Sequence, residues 1–273
     1  MAKLDRLGWA GELSIQTFGL AIGIRANDQA LLDLIDPYLP PGSKTISATV
    51  VKKLYSIFGG VSPALAHIRR LHLLYGNAER LARAADLENL FEAFRSNLNL
   101  YVAENARDRL FVHAGAVGWK GRAIVIPGRS FSGKTTVVQE FLRAGATYYS
   151  DEFAVIDRRG FVHPFATPLG IRDVNSHKQR MHRAEEFGGS TGAKPLQVGC
   201  VIATQFRPGA RWRRKAISKG LGAWALLANT VAARRSPTRT LSTLSRAVAD
   251  AQIWRGSRGE AKEVVKAVLE HFG

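Results

Sequence analysis

The stretch VIPGRSFSGKTTVVQEF, residues 125–141, runs from apolar residues that suit a buried strand, through a loop of small residues, into a segment with the spacing of an amphipathic helix. Within it Gly128, Arg129, Ser130, Phe131, Ser132, Gly133, Lys134 and Thr135 satisfy the pattern G-x-x-x-x-G-K-S/T, and Thr136 follows. Each position has a physical task. Glycines let the backbone wrap so that several N–H groups point at one anion, and the helix adds the positive end of its dipole. Lys134 supplies a mobile cation to phosphate oxygens, and the Thr135 hydroxyl suits Mg²⁺. These nine residues are the candidate nucleotide-binding segment, with ATP and Mg²⁺ as the expected ligands.

Working outward, LFVHAGAV, the turn GWKG and RAIVIP read as a β-hairpin leading into that loop. Pairing Val117 with Arg122 across the turn puts His113 opposite Ile126, close to the loop. Downstream, TTVVQEFLRAG is a ten-residue helix with Gly145 closing it, and TYYSD is a short strand that delivers Asp151 and Glu152. If that strand lies beside the loop, one carboxylate holds Mg²⁺ and the other accepts a proton from an attacking hydroxyl. Asp151, Glu152 and Thr135 are the candidate metal ligands, and Asp151, His113 and Lys134 the candidate catalytic groups.

The remainder bounds the answer. The chain has 273 residues, 46% of them hydrophobic, enough for one large core or two small ones. Residues 1–105 read as a small α/β region: LSIQTFGLAIGIR as strand, QALLDLIDPYL as a short helix, and a helical pattern running from Glu79 to about Ala106 through Leu87, Leu90, Phe91, Phe94, Leu98 and Val102. Residues 106–273 form the second domain. There FAVID and FVHPF flank a turn, residues 174–194 read as a long mobile loop, LQVGCVIATQF as a buried strand, and three helices close the chain, the middle one starting at Ser236 and Pro237. The lone cysteine, Cys200, excludes an internal disulfide and a cysteine-built metal site.

The net charge is +17, and the excess is C-terminal: residues 172–273 carry 19 Lys and Arg against 7 Asp and Glu, while residues 1–171 carry 20 against 15. Such a field attracts phosphorylated ligands or an acidic protein or peptide. Nucleic acid is disfavoured, because no basic run is interleaved with aromatics. The N-terminus lacks the pattern of a signal peptide and no apolar stretch reaches membrane-spanning length, so a cytoplasmic protein without a membrane partner is expected, with room for a homo-oligomer.

The segment from LFVHAGAV to FAVID resembles the catalytic core of the HPr kinase/phosphorylase family, whose fold is shared with phosphoenolpyruvate carboxykinases. It is similar in order and spacing over about fifty residues: His113, Gly121, the phosphate loop, Arg143-Ala-Gly145, then Asp151-Glu152. The resemblance implies an α/β fold with a mixed sheet around a nucleotide-binding loop, and a kinase that moves the γ-phosphoryl group of ATP to a serine hydroxyl. It also implies a catalytic arginine from a later loop, for which Arg172 is the local candidate. Phe131 stands where the family has a loop glycine and Glu152 where it has a second aspartate, and the glycine-rich phosphorolysis signature has no counterpart, so reverse activity is not expected. Two rival readings keep the loop: a nucleotide sensor without transfer, and a small-molecule or carboxykinase-like enzyme.

Overall fold

The computed structural model describes residues 4–48, 50–60, 71–129, 132–172 and 179–272. It is mixed α/β, and the chain divides into two compact units, Met1–Arg107 and Asp108–Gly273.

In the first unit LSIQTFGLAIGIR is a hairpin rather than one strand. β1 (Gly11–Thr17) and β2 (Leu20–Ala26) are joined by Phe18 and Gly19, whose φ values of 47° and 77° match the turn that suits twisted strands. The short helix α1 (Gln29–Asp33), β3 (Lys44–Ile46) and β4 (Lys53–Phe58) follow. β5 (His72–Gly76) pairs with β6 (Glu79–Ala84), and α2 (Leu87–Asn105) ends the unit. The sheet order is β3-β1-β2-β4-β5-β6. The helix expected from Glu79 therefore begins only after Asp86, whose carboxylate accepts the Asn89 N–H at 2.8 Å as N-cap. ERLARA mixes helix-formers with no clean period, and cross-strand pairing with β5 decides its state. From Leu87 onward the expected face is the buried one: Leu90, Phe91, Phe94, Leu98 and Val102.

The second unit contains β7 (Arg109–Trp119), β8 (Arg122–Pro127), α3 (Lys134–Arg143), β9 (Thr147–Ser150), β10 (Phe153–Asp157) and β11 (Phe161–His163). It continues through the two-stranded ribbon β12 (Leu169–Arg172) and β13 (Gln179–His182), then β14 (Leu196–Phe206) and β15 (Lys215–Ala216). α4 (Lys219–Leu227), α5 (Pro237–Val248), β16 (Gln252–Arg258) and α6 (Ala261–His271) complete it. The main sheet is ordered β11-β10-β7-β8-β14-β16-β15, with β9 also on β7. β8, β14 and β16 are mutually parallel, so their carboxyl ends lie along one edge. Alternation along β8 sends Ala123 and Val125 into a core shared with α4 and α5 residues, and Ile124 and Ile126 into one shared with α3 and α6 residues.

Several expectations change here. The hairpin turn is two residues, Lys120 and Gly121 (φ 45° and 75°), so Trp119 pairs with Arg122 and Val117 with Ile124. That shifts the register by two residues and brings His113 level with Gly128, whose N–H donates to the His113 carbonyl at 3.1 Å. Gly145 closes α3 as expected: it sits at φ 89°, its N–H reaches the Leu142 carbonyl, and the Ala146 N–H reaches that of Phe141. Of the expected loop 174–194, residues 174–178 lie outside the described residues; the rest is not one loop, because β13 occupies 179–182 and the far end is tied to β9. The Tyr148 N–H donates to Ser190 O at 2.7 Å and the Gly192 N–H to Tyr148 O at 2.8 Å. Ser236 precedes α5 as expected, but its side chain makes no capping bond. Between α5 and α6 lies the strand β16, which the sequence pattern does not announce. Cys200 is fully buried, with its thiol pushed up to about 12 by burial.

Candidate functional site

β8 ends at Pro127 on the carboxyl edge of the parallel strands, and the chain crosses residues 128–133 to start α3 at Lys134. Gly133 occupies the left-handed region at φ 78°, which a glycine reaches without strain. Of the loop residues singled out in the sequence, Gly128, Arg129, Ser132, Gly133, Lys134, Thr135 and Thr136 are placed, while Ser130 and Phe131 lie outside the described residues. Lys134 is buried, and its Nζ donates to Arg129 O at 2.8 Å, closing the loop over itself. Burial lowers the Lys134 pKa, opposed by the charges of Asp151 and Glu152.

The acidic pair sits where one long strand beside β7 is interrupted. β9 and β10 both pair antiparallel with β7, and Asp151-Glu152 forms the bend between them. Ser150 shapes that bend, its Oγ accepting the N–H groups of Glu152 at 3.1 Å and Phe153 at 2.9 Å. Sequence reading gave Ser150 no role. The bend turns Asp151 toward the start of α3, where Thr135 Oγ1 donates to Asp151 Oδ2 at 3.1 Å.

On its other side, Asp151 Oδ1 lies 3.0 Å from the Tyr148 hydroxyl, which is also 2.7 Å from Thr167 O. A phenol has one proton, so the hydroxyl donates to one of these acceptors at a time. Burial raises the carboxyl's pKa, against hydrogen bonds from Tyr148 and Thr135 and the charge of Lys134. Burial, then Asp151, push the Tyr148 hydroxyl well above its ordinary range. Thr135 and Asp151 thus present oxygen donors side by side, with Glu152 next along the bend. Such a set suits a hard cation that takes one or two carboxylates and fills its shell with phosphate oxygens and water. Among the described residues no three His, Cys, Asp or Glu side chains cluster as a ready-made metal cage.

His113 is half-buried on β7, its ring 4.7 Å from that of Phe153. Burial and then the Lys134 charge lower its pKa, so the imidazole is neutral near pH 7. Arg172 is the last residue of β12, paired with Gln179 of β13, on a different ribbon from the loop.

A second residue absent from the sequence reading is Arg258, the last of β16, only 2% exposed. Its Nη2 donates to Ser132 O at 3.1 Å and to Gly133 O at 2.9 Å, and a Cβ on Gly133 would run into this guanidinium. The ring of Phe206 lies 5.5 Å from the guanidinium carbon. Its Nε finds no acceptor among the described residues, a cost of about 1–3 kcal/mol for a buried donor.

The chain matches no protein-family model and no curated protein. No helix among the described residues is long and apolar enough to cross a membrane.

Proposed function

We propose that this chain is an ATP- and Mg²⁺-dependent kinase, built like the HPr kinase-type core it resembles, that transfers the γ-phosphoryl group to a hydroxyl, serine on a protein or peptide being the leading acceptor. The observation that carries the reading is the meeting, at one strand-to-helix junction, of Lys134, the Thr135–Asp151 hydrogen bond and the acidic bend. Residues 128–133 and the start of α3 hold the triphosphate, and Lys134 leaves the Arg129 carbonyl for phosphate oxygens. Thr135 and Asp151 would hold Mg²⁺, which when bound would supply positive charge against that building on the transferring group. Glu152 takes the proton of the attacking hydroxyl, and neutral His113 lies beside the phosphoryl group without adding to the cost of bringing Lys134 there. An acceptor that is itself acidic is drawn to the basic C-terminal half.

The test is incubation of the purified chain with ATP labelled at the γ-phosphate, Mg²⁺ and a set of serine-bearing acidic peptides. Label on serine, absent in Glu152→Gln, is expected. ATP binding with no label passed to any acceptor would contradict the kinase and favour a sensor.

A further inference from the structure

Arg258 is a cation buried beside the positive end of a helix, where unfavourable electrostatics should exclude it. It forms no ion pair among the described residues, and its charge is met by three backbone carbonyls, that of Gly259 from Nη1 at 3.4 Å and those of Ser132 and Gly133 from Nη2, with the Glu260 charge also favouring the cation. The Ser132 and Gly133 carbonyls belong to peptide units whose N–H groups come from the next residues, Gly133 and Lys134. A trans peptide is planar, with its C=O and N–H pointing in opposite directions. Holding both carbonyls on the Arg258 side therefore sends the Gly133 and Lys134 N–H groups to the far side, ahead of the first turn of α3. Gly133 O also accepts the Val137 N–H of α3 at 3.3 Å, which pins the same peptide unit to the helix.

The position of Arg258 supports this. It ends β16, which runs parallel to β14, itself parallel to β8, so the guanidinium and the loop share the carboxyl edge of the sheet. The strand that presents it is separated from Gly133 by 125 residues. Gly133 leaves room for the guanidinium, which any side chain there would displace.

We infer that Arg258 is a positioning residue for the loop: it clamps the Ser132 and Gly133 carbonyls from behind and so aims the Gly133 and Lys134 amides at a phosphate group. The inference rests on the reading of this loop as a phosphate holder. It also accounts for an otherwise unfavourable buried charge, because an anion on the far side of the two peptide planes relieves the crowding of Arg258, Lys134 and the helix dipole.

The test is calorimetric titration of inorganic pyrophosphate with Mg²⁺ into wild type, Arg258→Met, Arg258→Lys and Arg258→Ala, with thermal midpoints of the free proteins measured alongside. Groups that orient binding atoms from behind are worth about 10–100-fold in affinity, and a loss of that size is expected in Arg258→Met. Its free-state midpoint is expected to fall modestly, since the Ser132 carbonyl loses this donor while the Gly133 carbonyl keeps the Val137 N–H. Arg258→Lys keeps the charge but lacks the planar fork and is also expected to bind more weakly. Millimolar methylguanidinium is expected to restore binding to Arg258→Ala. Wild-type affinity in Arg258→Met, or loss of affinity tracking loss of stability with no methylguanidinium rescue, would overturn the inference while leaving the phosphate site standing. Absence of pyrophosphate binding by wild type would overturn the phosphate reading itself and the inference with it.

Discussion

Lys134→Ala is expected to weaken ATP binding by about 10–100-fold, the worth of one charge-assisted hydrogen bond of about 1.5–3 kcal/mol. Turnover should fall further, by about 10²–10³-fold, as when a donor aimed at developing charge is removed. The fold should not suffer. Lys134 starts α3, where alanine is a better helix former, and the variant gives up a buried ammonium that, among the described residues, donates to the loop's own Arg129 carbonyl. Its folded pKa lies below the unfolded one, so the charged form is penalised in the native state at neutral pH, and that penalty disappears as pH rises through the unfolded lysine range. The variant should therefore match or exceed wild type in thermal midpoint at pH 7 and lose that advantage near pH 10. Fluorescent-nucleotide titration and a denaturation series over pH separate the two effects. Full ATP affinity in Lys134→Ala would remove the lysine from the site.

Asp151→Asn separates binding from chemistry. Nucleotide binding measured without Mg²⁺ should be nearly unchanged, since the loop and Lys134 remain, while phosphoryl transfer should fall by about 10²–10⁴-fold. Asparagine can still accept from Thr135 but offers a metal no charge. The pH dependence has a definite sign. Burial holds the folded pKa of Asp151 above its unfolded value, so the wild type carries no penalty when both states are protonated and an increasing one as pH rises through the ordinary carboxylate range. Asp151→Asn should thus match wild-type stability at low pH and gain on it as pH rises past that range. Wild-type turnover in the variant would place the metal and the chemistry elsewhere.

How much was legible follows from how local each signal is. The loop, its helix and the acidic pair lie within 25 residues of one another, and their spacing is visible in the chain itself. The buried face of α2 was equally plain, because its apolar residues recur at helical spacing. ERLARA was misread because Leu81 and Ala82 between arginines fit either period, and the partner β5 decides. QIWRGSR pairs with β14 from Gln252 to Arg258, between two helices. Only that pairing brings Arg258 to the loop before α3, so its contact is invisible to any local pattern. The hairpin register turned on whether GWKG is a four-residue turn or, as found, a two-residue turn at Lys120-Gly121, and the difference moved His113 level with Gly128.

Diffraction from crystals of the chain grown or soaked with a non-hydrolysable ATP analogue and Mg²⁺ is the most direct measurement. The account predicts the β-phosphate within hydrogen-bonding distance of the Gly133 and Lys134 amides, Lys134 Nζ moved off the Arg129 carbonyl, and the metal between Thr135 and Asp151. A nucleotide bound elsewhere at saturating concentration, with Lys134 still closed on Arg129, would contradict it.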